Sequence, residues 1–291
     1  MAEAPEYLTV PELAALLRIK ERKVYDLAAG GEVPVSRATG KLLFPEREVR
    51  AWIDGKKTPA PRLAARPNVL IGSFDPLLEW AIRQSECGMA SLLDGSADGL
   101  RRFVAGEGVA AGMHIHDAGT DDWNVAAVAK AAKAQNAVLL AWAKRQRGLV
   151  LHPDMGSAIT SVADLRGKTL ATRQKASGTD LLLSHVLEAA GVQPDQITRT
   201  DPFHSEQDAV LAVVEGQAQA TFGLEAVARP FGLPFVPVTE ERFDLLIDRK
   251  AYFDPAIQTL LRFCRTPAFA AKASAFGGYD TTDLGEVRWS A

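Results

Sequence analysis

The alternation of apolar runs and helical patterns after residue 66 restricts this chain most. Strand-like runs at Val69–Gly72, 109–115, 137–143, 148–151, 168–171, 218–222, 235–238 and 243–247 are interleaved with helical periodicity at 76–84, 95–106, 124–134, 177–187 and 205–215. Such alternation predicts parallel sheets with helices on both faces. In sheets of that kind a ligand sits beyond the carboxyl ends of the strands. A chain of 291 residues, 47% of them hydrophobic, has the apolar mass to fill two or three compact units.

One stretch within this pattern carries chemistry. The apolar run Lys168-Thr-Leu-Ala171 is followed by Arg173 and Lys175, then Ser177-Gly178-Thr179, then the helical run Leu181 to Leu187. The first amides of a helix have no intrahelical partner, and the helix dipole is positive there. Two hydroxyls, a glycine that lets a ligand approach the backbone, and two preceding cations suit an anion. Capping of the helix by Ser177 or Thr179 is compatible with that role.

Other polar residues fall at equivalent strand ends. Ser73 and Asp75 follow the first strand, Ser96 opens a helix after Gly95, His114 ends a strand, Asn124 starts a helix, and Glu225 comes three residues after Phe222. With Arg173, Ser177, Gly178 and Thr179 these form the expected ligand-binding set. Ser73 and Ser96 also suit N-caps, and an ordinary hydrogen-bonded core histidine accounts for His114 as well as a ligand does. His114 and His116 alternate on one strand and therefore point to opposite faces, which disfavours a shared metal; no metal site is expected. Glu225 would repel a bare oxyanion, so a pairing with Arg173 or a donor group on a larger ligand is expected of it. Trp80, Trp123 and Trp142 read as core, Trp142 standing near a predicted crossing strand.

The first fifty residues have a different rhythm. Thr9 and Glu12 form a capping-box pattern around Pro11, with Leu13, Leu16 and Leu17 on one face. A second helix from about Glu21 to Ala29 ends at Gly30-Gly31. Val33-Pro-Val35, a turn at Thr39-Gly40 and Leu42-Leu-Phe44 read as a small hairpin, and Pro45-Glu46 opens a helix carrying Val49, Trp52 and Ile53. Leu-Thr-Val-x-Glu-x-Ala, then Lys20-x-x-x-Val24-Tyr25, the Gly40-Lys41 turn and Trp52-Ile53 resemble the excisionase/MerR-type DNA-binding family. The resemblance implies a winged helix-turn-helix over residues 7–57. Lys20, Arg22, Lys23 and Tyr25 would then face double-stranded DNA from the second helix, and Arg37 and Lys41 from the wing. The unit has only a slight excess of cations, so a homodimer reading two half-sites is expected to bind better than one copy. Residues 58–66, rich in Pro, Ala and cations and without periodicity, read as a linker.

Residues 67–291 carry a second resemblance. Gly72-Ser-Phe-Asp-Pro-Leu-Leu78, Asp94-Gly-Ser-Ala-Asp-Gly-Leu100, Gly108-Val-Ala-Ala-Gly-Met-His114, Gln146-Arg-Gly-Leu149, Arg173-Gln-x-x-Ser-Gly-Thr179, Phe222-Gly-Leu-Glu-Ala-Val-Ala228 and Gly278-Tyr-Asp280 are similar to the periplasmic-binding-protein-like domain. That domain resembles type II solute-binding proteins of the molybdate/tungstate kind and is found fused to DNA-binding modules in bacterial regulators. The resemblance implies two α/β lobes, about 67–145 with 240–291 and about 150–236. Two crossing strands, near 142–153 and 235–248, would join them, with a ligand in the cleft. The expected fold class is therefore α/β: an N-terminal winged helix-turn-helix plus a bilobal type II periplasmic-binding-protein-like domain.

Exclusions complete the reading. Met1-Ala-Glu-Ala-Pro-Glu6 lacks the basic and apolar regions of an export signal, no apolar run approaches a membrane span, and two cysteines make no disulfide framework. A cytoplasmic protein is expected. The net charge of −3 argues against a general nucleic-acid coat. No nucleophile elbow, Walker A loop, His-Glu-x-x-His or Cys-x-x-Cys is present, so no enzyme is expected. The expected function is a DNA-binding transcriptional regulator controlled by a small anionic ligand, molybdate, tungstate or a related metabolite, with no other cofactor. The alternative is a cytoplasmic enzyme using the bilobal fold on an anionic substrate.

Overall fold

The computed structural model describes residues 6–38, 40–55, 66–175 and 177–291. Thr39 of the expected wing turn and residues 58–65 of the expected linker lie outside them. Contacts divide the chain into Met1–Ala65 and Arg66–Ala291.

The first unit runs β1 (Tyr7–Leu8), α1 (Val10–Leu17), α2 (Glu21–Ala29), β2 (Phe44–Pro45) and α3 (Glu46–Gly55). Thr9 starts α1 by donating its backbone N–H and its hydroxyl to the Glu12 carboxylate, each at 2.7 Å. These bonds hold the Glu12 carboxyl below its usual range. Leu13, Val24, Phe44 and Val49 are fully buried and pin the three helices together. The expected hairpin is shorter than the sequence suggests. It consists of one antiparallel bridge, Ser36 to Leu43, closed by bonds of 2.7 and 3.0 Å. Pro34 donates no N–H and so ends the ladder early.

The second unit contains β3 (Val69–Gly72), α4 (Pro76–Ser85), β4 (Ala90–Leu92), α5 (Ser96–Val104), β5 (Ala110–Met113), β6 (His116–Asp117), β7 (Asp122–Trp123), α6 (Val125–Ala131) and β8 (Ala137–Leu151). It continues with β9 (Thr169–Ala171), α7 (Gly178–Ala189), β10 (Thr198–Arg199), α8 (Glu206–Val214), β11 (Ala220–Leu224), α9 (Glu225–Ala228) and β12 (Phe235–Asp248). It ends with α10 (Pro255–Phe263), α11 (Pro267–Phe276), β13 (Tyr279–Asp280) and β14 (Val287–Ser290). The main sheet has the order β10-β9-β11-β8-β12-β5-β3-β4. Its two ends are parallel, as expected: β3 pairs in parallel with β4 and β5, and β9 with β10 and β11. The centre is antiparallel, because β8 and β12 pair along their whole length, Phe235 against Val150 through Asp248 against Ala137.

The runs at 137–143 and 148–151 are thus one strand, and those at 235–238 and 243–247 are another. Polar residues between the runs broke the pattern, whereas the crossing strands implied by the resemblance, near 142–153 and 235–248, correspond to β8 and β12. Each half of the sheet has a core on both faces. Leu77, Ala81, Ile257 and Phe269 cover one face of the β3 half, and Leu100, Phe103 and Val128 the other. Leu182, Leu183 and Leu187 cover one face of the β9 half, and Ala209, Val210 and Val213 the other.

Arg66, read from sequence as the last linker residue, belongs to this unit. Its guanidinium donates to the carbonyls of Phe103 and Gly108 and to Gln135, and lies 4.3 Å from the Phe103 ring centroid. Gly99 lets α5 approach the end of β3: a Cβ there would stand 2.3 Å from the Gly72 Cα. Gly99→Ala is therefore expected to destabilise the second unit by about 1–3 kcal/mol, read as a lower melting temperature by circular dichroism.

Candidate ligand-binding cleft

The first turns of two helices and the residue that precedes a third line one cavity of about 310 Å³. Gly95 precedes α5; Ser177, Gly178 and Thr179 open α7; Ser205, Glu206 and Gln207 open α8. Ser177 and Ser205 cap their helices, accepting from the N–H of Asp180 at 3.2 Å and of Asp208 at 2.9 Å. Each opening brings unpaired amides and the positive end of a dipole to the same region. Arg173, Gln174, His204, Ser73 and His114 complete much of the wall.

Arg173 is half-buried, and Nε and Nη2 donate to the carbonyls of Phe203 at 3.2 Å and His204 at 2.7 Å. Among the described residues no carboxylate lies within ion-pairing distance of it. Burial, only partly offset by Glu206, lowers its pKa. The pairing with Glu225 expected from sequence does not occur. Asp180 binds Arg199 at 3.3 Å, and Glu225 lies 3.8 Å from Arg229.

Ser73 and Ser96, both buried, share a hydrogen bond of 2.7 Å, and the Ser96 hydroxyl also accepts from the His114 N–H at 3.0 Å. The His114 ring is buried. Its Nδ1 stands 3.1 Å from Glu241 Oε2 without hydrogen-bond geometry. Burial lowers the His114 pKa despite that carboxylate, so the ring is neutral at pH 7. Across the cleft, a Cβ at Gly178 would lie 3.0 Å from His114 Cε1, so a larger residue there would require the ring to give by a few tenths of an ångström.

Two expected ligand contacts are engaged in the fold instead. The buried Asp75 carboxylate accepts from the Leu78 N–H at 2.6 Å, Trp142 Nε1 at 3.1 Å, Arg145 Nη1 at 2.9 Å and Tyr279 Oη at 2.7 Å. Asn124, at φ 62°, accepts from the Ile115 N–H and donates to Asp244, each at 2.6 Å. Neither lines the cavity, and neither does Glu225. Trp142 is core, edge-on to Phe269 at 5.5 Å.

Sequence reasoning overlooked the charges beneath the cavity. Arg145 and Arg147 alternate along β8, so both face one side of the sheet. Glu241 on β12 is directly opposite Arg145. It accepts from Arg145 and from Arg147 Nε at 2.8 Å, while Arg147 reaches Glu206 at 3.3 Å and the Thr179 hydroxyl at 3.2 Å. All four charged side chains are buried. Burial opposes ionisation of Glu241, but the two guanidiniums overcome it and hold the carboxyl well below its usual range. The signal for this network was the alternation Arg145-Gln-Arg147 inside an otherwise apolar stretch. Ser205, Glu206 and Gln207 were overlooked as a wall because Ser205 read as an ordinary helix start.

In the first unit Lys20, Arg22, Lys23, Tyr25, Arg37 and Lys41 are all exposed. Tyr25 is 53% exposed. Arg37 also donates to the Ala28 carbonyl at 3.1 Å, tying the wing to the end of α2. Asp26 shares the outer face of α2 with Arg22 and Tyr25.

Comparisons with known proteins agree with this division. A family model described as the PBP superfamily domain matches residues 79–265, and one described as a helix-turn-helix domain matches residues 7–57. The uncharacterized protein YvgK of Bacillus subtilis is 24% identical over 307 residues, 99% of each chain. An uncharacterized Clostridium pasteurianum protein, described by its place in the 5′ region of a 2Fe-2S ferredoxin gene, is 25% identical over 112 residues, 37% of this chain and 96% of that one. The regulatory domain of MetR, a LysR family regulator from N. meningitidis, superposes with a TM-score of 0.49 at 12% identity, covering 73% of this chain and 95% of that one. The alkanesulfonate-binding protein SsuA from Xanthomonas axonopodis pv. citri, bound to MOPS, gives 0.45 at 17% identity, covering 73% and 79%. No described helix is long and apolar enough to cross a membrane.

Proposed function

Because the chain belongs to the PBP superfamily through residues 79–265 and carries a helix-turn-helix domain over residues 7–57, we propose that it is a transcriptional regulator. Its DNA affinity is set by an anion bound in the cleft, an oxyanion such as molybdate or tungstate or a metabolite bearing such a group. The carrying observation is Arg173: a half-buried guanidinium with no carboxylate partner among the described residues, beside the openings of three helices. An anion there supplies the missing countercharge, and the helix amides supply its hydrogen bonds. Ser177, Gly178 and Thr179 come from one lobe and Ser73, Ser96 and His114 from the other. A ligand touching both favours a closed arrangement about β8 and β12. DNA binding then responds through the difference in affinity between open and closed states. The protein acts in the cytoplasm, as a homodimer on two half-sites of an operator.

Calorimetry with molybdate, tungstate, sulfate and phosphate tests the anion. A promoter fragment retarded in a gel, with a retardation that the bound anion changes, tests the regulator. Absence of DNA binding at low salt sinks it. The double substitution Arg22→Ala/Lys23→Ala is expected to weaken DNA binding across all sequences. It should also flatten the slope of log K against log salt by about 0.9 for each phosphate that is no longer neutralised.

A further inference from the structure

Beside the 310 Å³ cavity lies a second of about 460 Å³, and the two share Asp94, Gly95, Gln174, Ser177 and Gly178. Their walls differ. The larger is faced by Ile115, Leu181, Leu182 and the imidazoles of His116 and His185. Those two rings lie 5.4 Å apart, and the His116 ring rests 4.9 Å from that of Trp123. The acidic groups on this wall are engaged locally: Asp98 with Arg101, and Asp94 with Arg102 at 3.5 Å.

Leu181 stands out on α7. Its neighbours Leu182, Leu183 and Leu187 are buried in the core, whereas Leu181 is 61% exposed on the cavity wall. A bare four-oxygen anion fills about the space of three or four waters, roughly 100 Å³. It would leave this leucine and the paired imidazoles facing water. Sites for organic ligands have the opposite character, with mostly apolar and aromatic walls and a few convergent polar groups.

We propose that the anion held beside Arg173 is the head group of an organic anion, whose aromatic or heteroaromatic body occupies the larger cavity between Leu181 and the His116/His185 pair. The inference rests on the anion reading above and narrows it. Leu181 and the imidazoles select the body, and Arg173 with the helix openings holds the head. A flat body suits the wall because ring faces and edges pack against imidazole and indole as against one another.

Calorimetry on the full chain with ligands that share a head separates the two ideas: phosphate against phenyl phosphate, and sulfate against benzenesulfonate, with molybdate as a further inorganic anion. At least one aromatic ligand is expected to bind about tenfold or more tighter than its inorganic counterpart and than molybdate. Leu181→Ser and His185→Ala, both at exposed positions, should shrink that advantage to about threefold or less and leave the inorganic affinity unchanged. Inorganic anions binding as tightly as the aromatic ones would overturn the inference and leave the anion reading standing. Equal weakening of both ligands by Leu181→Ser would overturn the placement of the body. No binding by any of these anions would remove the anion reading, and the inference with it.

Discussion

Replacing Glu241 with glutamine is expected to destabilise the second unit by about 3 kcal/mol or more, with a melting temperature lower by on the order of 10 °C. The carboxylate is fully buried between Arg145 and Arg147, and both guanidiniums stay buried when its charge is gone. Arg145 keeps Asp75 and Arg147 keeps Glu206, but one negative charge fewer faces two positive ones. Removing one partner of a buried pair costs far more than the pair itself contributes. Glu240→Gln, one residue away and exposed, should change stability by about 0.5 kcal/mol or less. Equal losses in the two variants would show that the network is not what holds the crossing strands. The same groups set the acid limit. Glu241 has a folded pKa below its unfolded value of 4.5, so its contribution is complete above that pH and is lost as pH falls through the folded pKa. His114 is also depressed from 6.5, so the unfolded chain takes up its proton first and stability begins to decline below about that pH. Denaturant titrations at several pH values should show both declines on the acid side.

Arg173→Glu is expected to weaken anion binding by about a hundredfold or more, because it removes a charged hydrogen-bonding group and places a like charge against the ligand. The fold should tolerate it. The side chain is half-buried and, among the described residues, holds the carbonyls of Phe203 and His204, so a melting temperature within about 4 °C of the parent is expected. If the regulator works as proposed, gel retardation of its operator should persist in this variant and cease to respond to the anion. Unchanged anion affinity would move the site away from Arg173 altogether.

Local order was read well from local pattern. The strand, turn and helix around Ser177, the cap at Ser177, the helix start at Ser205 and the Thr9–Glu12 start of α1 depend on residues within a few positions of one another. Periodicity and capping chemistry act over that range. The two long strands, β8 and β12, were foreseen as crossing strands through the resemblance, near 142–153 and 235–248, while the local pattern read each as two runs for a related reason. Lys144 to Arg147 interrupt the apolar run, and a polar interruption normally marks a loop. Here the charges are compensated from β12, ninety-odd residues away, which no local pattern reports.

The division of the candidate site follows the same line. Arg173, Ser177, Gly178 and Thr179 were chosen as an anion-holding turn because the chemistry of a helix start is written in consecutive residues. The sequence by itself determined that turn, the alternation that forces a layered α/β sheet, and the separate helix-turn-helix at the front. Tertiary structure alone decided that α5, α7 and α8 open toward one cavity, that Asp75 and Asn124 brace the fold rather than face it, and that Leu181 is left exposed beside two imidazoles. Burial, charge compensation and cavity shape are properties of segments brought together from far apart, and the loop lengths between those segments carry almost no energetic mark of where they meet.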